Sequence, residues 1–185
     1  MSISASDVKK LRDMTGAGMM DAKKALTESE GDFDEAVKYL REKGLADSKK
    51  RADKEANQGT IGDYIHYQQD RAVSGVLVEL ACETDFVAKS EEFKDAAKQI
   101  AMHIAAMKPT YLNIEDISEE KLQEEKDIIS KQSENEGKPA EVIEKIIEGR
   151  IVSFYKDNVL NEQIFCNPEI YEGKVSTMIE EMSGK

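Results

Sequence analysis

Tryptophan is absent from this chain of 185 residues, proline occurs three times, and cysteine and histidine twice each. Cys82, Cys166, His66 and His103 are too few and too scattered for a disulfide framework or the ligand spacing of a metal site. A reduced protein with no metal or cofactor of its own is expected. No apolar run approaches the roughly 20 residues that a membrane-spanning helix requires. The start, Met1-Ser2-Ile3-Ser4, lacks the basic flank and apolar stretch of a secretory signal, and no Asn-x-Ser/Thr acceptor occurs. These absences predict a soluble, cytoplasmic protein that does not engage a membrane.

Charge of one sign is also scarce in part of the chain. The total is 26 basic against 38 acidic residues, a net charge of -12. Residues 1–45 hold 8 basic and 9 acidic side chains and residues 46–57 hold 4 and 3, so the acidic excess lies after residue 57. An acidic body is repelled by phosphate backbones, which argues against nucleic acid as a partner. The basic run Lys49-Lys50-Arg51 does not reverse this. Asp47, Asp53 and Glu55 dilute it and no aromatic is interleaved, so it reads as part of a solvated helical linker.

Three segments follow from the patterning. Residues 1–45 read as three short helices. Val8, Leu11 and Met14 recur at helical spacing before the break Thr15-Gly16-Ala17-Gly18, and Met19, Ala22, Ala25 and Leu26 share a face of the second helix. Gly31 ends that helix, Asp32 with Glu35 opens a third carrying Phe33, Ala36, Val37 and Leu40, and Gly44 is expected to stop it. Residues 46–57 form a charged linker. Residues 58–185 form an α+β core. A β-hairpin runs from Thr60 to Cys82 around a polar turn at Gln68-Gln69-Asp70-Arg71, and the apolar run Val76-Leu77-Val78 predicts a well-buried second strand. Phe93, Ala97, Ile100, Ala101 and Ile104 mark a helix closed by Pro109. Ser118 opens another, and the turn Glu136-Gly137-Lys138-Pro139 implies that it pairs antiparallel with the helix bearing Val142, Ile143, Ile146, Ile147, Ile151 and Phe154. Asn161 to Pro168 is expected to be extended, with a last short helix from Val175 to Met182.

Catalytic signatures are missing. Gly16 and Gly18 lead into Met19-Met20-Asp21 rather than the Gly-Lys-Ser/Thr of a phosphate loop, so the chain is not itself a GTPase. No Gly-x-Ser-x-Gly, His-Glu-x-x-His or calcium loop occurs. His103, beside Ile100 and Ile104, reads as a half-buried structural histidine. What remains is surface. Met19 and Met20 are adjacent, so only one can face the bundle fully and the other offers a flexible apolar contact. Glu83-Thr84-Asp85-Phe86-Val87 follows the second strand and puts a carboxylate beside a large ring at a sharp turn. Phe86 either anchors the next helix or is presented to a partner.

Several long stretches in this order resemble one family, elongation factor Ts. They include Leu11-Arg12-Asp13-Met14-Thr15-Gly16-Ala17-Gly18-Met19-Met20-Asp21-Ala22-Lys23-Lys24-Ala25-Leu26, in which family members often carry cysteine at the position of Ala22. Cys82-Glu83-Thr84-Asp85-Phe86-Val87-Ala88, Ile100-Ala101-Met102, Glu136-Gly137-Lys138-Pro139 and Glu148-Gly149-Arg150 match as well. The resemblance implies a ubiquitin-associated-like three-helix domain over 1–45, the linker 46–57, and one α+β core of dimerisation type over 58–185. Members are expected to continue past this C-terminus with a basic, aromatic strand at the edge of the core sheet. Monomer and homodimer both stay open.

What the resemblance implies about function is nucleotide exchange on elongation factor Tu without bond-making chemistry. Met19, Met20 and Lys23 would grip the partner's G domain, with His66 also in the partner-binding group. Thr84, Asp85, Phe86 and Val87 would enter beside the Mg²⁺/GDP site, Phe86 as a wedge and Asp85 as a competitor for the groups that orient the metal. Two other classes remain distinguishable. A binding adaptor would use the three-helix module and leave the Asp-Phe turn idle. An enzyme using His66 or Cys82 would turn over a substrate without any GTPase.

Overall fold

The structure is a computed structural model that describes residues 3–51 and 55–183, without the side chains of 45 and 47–51. Its described elements are eight α-helices and a two-stranded antiparallel sheet, an α+β fold. By contacts the chain divides into two compact units, Met1–Lys54 with Thr177–Lys185, and Glu55–Ser176.

In the first unit α1 (Ala5–Thr15), α2 (Met19–Glu28) and α3 (Phe33–Arg51) form a small bundle. Ser4 starts α1 with a capping box, its hydroxyl accepting the Asp7 amide while the Asp7 carboxylate accepts the Ser4 amide. Gly16 ends the helix at φ 71°, a left-handed conformation that only glycine adopts without steric cost. Asp32 Oδ1 accepts the amides of Asp34 and Glu35 at the start of α3. The core is Val8, Leu11, Ala22, Ala25, Leu26, Ala36 and Leu40, with Phe33 and Val37 half-buried around it. Two expectations are corrected here. Gly44 does not stop α3, because it keeps helical dihedrals and the positive-φ glycines are Gly16, Gly31, Gly137 and Gly173. Met19 is not part of the packed face. It opens α2 one turn before Ala22, where the buried stripe begins.

The second unit is built on β1 (Gln58–Gln68), β2 (Arg71–Cys82) and the helix laid across them, α5 (Glu91–Met107). Register runs from Gln58↔Cys82 to Gln68↔Arg71, with a bulge between His66 and Tyr67. Gly62 is the point of closest approach. A Cβ there would stand 2.3 Å from the carbonyl carbon and oxygen of Ala97, so strand and helix touch through backbone. Val76 and Val78 are half-buried and Leu80 is buried, whereas Leu77 is exposed, as are Ile61 and Ile65 on β1. The second strand is therefore not well buried as its apolar run predicts. A strand needs cover on both faces for that, and here α5 and the short helix that follows β2 pack on the sheet while Ile61, Ile65 and Leu77 stay exposed.

Past α5 the chain crosses to α6 (Glu119–Asn135) and α7 (Ala140–Asn158), which pack on each other across a tight turn with Gly137 at φ 73°. Ser118 caps α6 through the Lys121 amide, and Ile129, Ser133, Ile143 and Ile151 are the buried residues of the pair. The segment expected to be extended begins instead with a 3-10 turn, Leu160–Glu162, and continues to a single bridge between Ile164 and Lys174. The last helix is α8 (Val175–Ser183).

Candidate functional site

The end of β2 leads directly into a five-residue helix, α4 (Asp85–Lys89). Thr84 is extended (φ -134°, ψ 153°) and caps α4 with its hydroxyl toward the Val87 amide at 3.4 Å, while its carbonyl accepts the Ala88 amide at 3.2 Å. The Cys82 thiol also donates to the Thr84 carbonyl at 3.2 Å. At the other end Ser90 closes α4 by donating its amide and hydroxyl to Val87 O, and its oxygen in turn caps α5. So short a helix is not stable alone. It is held by these two caps and by the buried Ala88 and Phe93.

That anchoring fixes what points outward. Residues advance about 100° each around a helix, so Phe86 stands about 200° from the buried Ala88. Phe86 is 83% exposed and Val87 45%. Phe86 therefore does not anchor the following helix, and the competing reading of that residue is overturned. Asp85 makes an i,i+4 ion pair with Lys89, Oδ2 to Nζ 2.7 Å, a partly exposed contact worth roughly 0.3–0.5 kcal/mol. The carboxylate and the ring are thus presented side by side on a pinned, solvent-facing turn.

The other residues singled out from the sequence are distributed. His66 is exposed, within 3.3 Å of the Tyr64 hydroxyl through Nδ1, and pairs with Ser74 rather than with the Cys82 end of the hairpin. The eight residues from Ser74 to Cys82 put it about 26 Å from the Asp85 turn at a strand rise of about 3.3 Å. Met19, Met20 and Lys23 belong to the first unit and all three are exposed, so neither methionine faces the bundle. Asp21, between them, pairs with Lys43. Met14, placed by its helical spacing on the stripe of Val8 and Leu11, is exposed instead. The sequence reading missed that Ile61, Ile65 and Leu77 stand exposed on one sheet face, with Asp63 across from Leu77 and Glu79 across from Ile61.

Among the described residues no three of His, Cys, Asp and Glu gather to hold a metal ion, and no helix is long and apolar enough to cross a membrane. An open cavity of about 440 Å³ at the α2–α3 turn is lined by Glu28, Glu30, Glu35 and Glu42 against a single cation, Lys38, an acidic excess that disfavours an anionic substrate. His103 is fully buried rather than half-buried, and burial lowers its proton affinity more than its Gln163 hydrogen bond raises it.

Comparison with known proteins gives the same direction throughout. The family model described as Elongation factor TS matches residues 3–184. Elongation factor Ts of Moorella thermoacetica is 54% identical over 163 residues, covering 88% of this chain and 79% of that protein. Elongation factor Ts of Thermosipho melanesiensis is 48% identical over 183 residues, covering 99% and 91%. That of Syntrophus aciditrophicus is 48% identical over 186 residues, covering 100% and 90%. A match along nearly the whole chain, at about half identity, includes both the methionine-bearing turn and the Asp-Phe turn, and the chain belongs to the elongation factor Ts family of translation elongation factors.

Proposed function

We propose that this chain is a guanine nucleotide exchange factor for elongation factor Tu, acting in the cytoplasm by binding alone, with no bond made or broken and no cofactor of its own. The observation that carries the reading is Phe86, 83% exposed on a five-residue helix fixed by caps at both ends and by Ala88 behind it. Leaving a phenylalanine in water forgoes roughly 1.5–3 kcal/mol of burial. A fixed turn that does so, with a carboxylate beside it, is suited to enter another protein.

The thermodynamics define the task. If the factor weakens the partner's hold on GDP, GDP weakens the partner's hold on the factor by the same ratio. The factor must therefore favour a conformation in which the nucleotide site is incomplete. In this reading Phe86 wedges into a packed contact of the G domain, Thr84 and Val87 flank it, and Asp85 competes for the groups that orient Mg²⁺ and its waters. Without the ion the diphosphate charge is less well compensated and the nucleotide leaves faster. Met19, Met20 and Lys23 grip the G domain from the first unit, and His66 makes a separate contact from the far end of the hairpin. The functional division proposed is a docking domain over 1–45, a linker over 46–57 and a core over 58–185. The bared face of Ile61, Ile65 and Leu77 is the surface that a second copy would cover in a homodimer.

Stopped-flow release of a fluorescent GDP from elongation factor Tu tests this. Acceleration that rises with concentration of the chain is expected, and Phe86→Ala with Asp85→Ala should reduce it roughly ten- to a hundredfold, the equivalent of losing one buried ring. An unchanged rate in the double variant would exclude the wedge. Neither acceleration nor binding of elongation factor Tu by the unsubstituted chain would favour the adaptor.

A further inference from the structure

His103 of α5 hydrogen-bonds the loop between α7 and α8 through both ring nitrogens. His103 is fully buried, and the Cys166 amide donates to its Nδ1 at 3.1 Å. A main-chain N–H can only donate, so Nδ1 carries no proton and the ring proton sits on Nε2. Nε2 then donates to Gln163 Oε1 at 2.9 Å, and the Gln163 amide nitrogen donates onward to the Asp157 carbonyl at 2.8 Å. Phe165 stacks on the imidazole, centroids 5.3 Å apart and planes 12° from parallel. The loop is closed on itself by Phe165 N–H to Gly173 O at 2.8 Å and Val175 N–H to Gln163 O at 3.0 Å.

We propose that residues 163–175 form a latched loop whose latch is the neutral imidazole of His103, and that a proton added at Nδ1 releases the loop from α5. The added N–H would face the N–H of Cys166, so the imidazolium and the docked loop exclude each other. Both ring nitrogens are committed, and no rotation of the ring offers an acceptor to Cys166 once both carry protons.

The surroundings favour the neutral ring. Cys166 is on the loop itself, with its thiol pushed up by burial. Asp157 lends Gln163 only its main-chain carbonyl, and Glu162 and Lys174 pair with each other at 2.6 Å. Burial lowers the proton affinity of the imidazole, and the Gln163 bond opposes this more weakly. Since the folded value lies below the ordinary value of about 6.5, the latch is fully formed above that pH and is lost as pH falls through the lower folded value. The device is independent of the exchange reading and concerns the second unit alone.

The thiol of Cys166 reports the state of the loop, and that of Cys82 serves as the internal reference. On the full chain, labelling with 4,4′-dithiodipyridine, a thiol reagent that works in mild acid, would be followed by peptide mass spectrometry from about pH 7.5 to about pH 4.5. The Cys166-to-Cys82 ratio is expected to rise about fivefold or more as the loop opens ahead of the hairpin. In His103→Asn, Oδ1 keeps an acceptor for the Cys166 amide but cannot titrate, and the ratio should stay flat. A flat wild-type ratio, or the same rise in His103→Asn, would overturn the proposal. Should that variant fail to fold, NMR of the wild-type protein decides instead. The His103 ring and the exchange of the Cys166 amide must then share one midpoint, and a ring still neutral when the amide has opened rules the latch out.

Discussion

Phe86 exposes 83% of its surface while Ala88, two residues on, exposes 9%, and that contrast separates binding from folding at this turn. Phe86→Ala removes no buried contact, so the midpoint of thermal unfolding should correspond to a change within about 0.5 kcal/mol even as exchange falls. Gly62 is the opposite case. Its Cβ would meet the Ala97 backbone at 2.3 Å, which no side-chain rotation can relieve. Gly62→Ala must force strand and helix apart, and a loss of about 1–3 kcal/mol in denaturant unfolding is expected, in line with overpacked cores. Sequence reasoning reached some of these residues and not others. The Asp-Phe turn was legible because nothing nearby called for a buried ring. The latch on His103 was not, because Gln163 and Cys166 come from 60 and 63 residues away and no local pattern announces a partner at that range.

At the scale of elements, termini decide more than interiors. α5 ends on Lys108, a non-glycine residue at φ 49° whose amide donates to Ile104 O. The left-handed conformation costs an L-residue roughly 1–2 kcal/mol, part of which glycine gives back through its freer unfolded chain. Lys108→Gly should therefore raise stability by about 0.5–1 kcal/mol, read as a higher unfolding midpoint with an unchanged denaturant slope. Helices with a clear 3.6-residue period and a marked start or stop, such as α6 after Ser118 and α5 before Pro109, were readable from sequence. The start and stripe of α3 were readable too, but its end was not, because glycine ends a helix where the chain turns left-handed, and Gly44 does not. The cover over β2 was misjudged for a related reason. Apolar content records what a strand could bury, while the layer that would bury it is a property of the fold.

Across the whole molecule, charge and core are unevenly shared. The -12 lies after residue 57, whereas the first unit is close to neutral and its core, among the described residues, is seven buried side chains, three of them alanine. A core that small leaves a bundle with about 3–5 kcal/mol in hand. Leu26 is fully buried at its centre, and a Leu→Ala change in such a site costs about 2–5 kcal/mol. Leu26→Ala should therefore unfold most of the first unit at ambient temperature. Because the chain divides into two compact units, the amides of α5 and α7 should keep their protection in hydrogen exchange while those of α1 and α2 lose it. Loss of protection in α5 as well would mean that the two units fold as one. On the exchange reading the same variant separates two roles. The grip of Met19, Met20 and Lys23 would be gone while the turn bearing Asp85 and Phe86 stayed intact. Acceleration of GDP release should then persist but need a much higher concentration of the chain. A fall in the saturating rate itself would place part of the exchange step in the first unit.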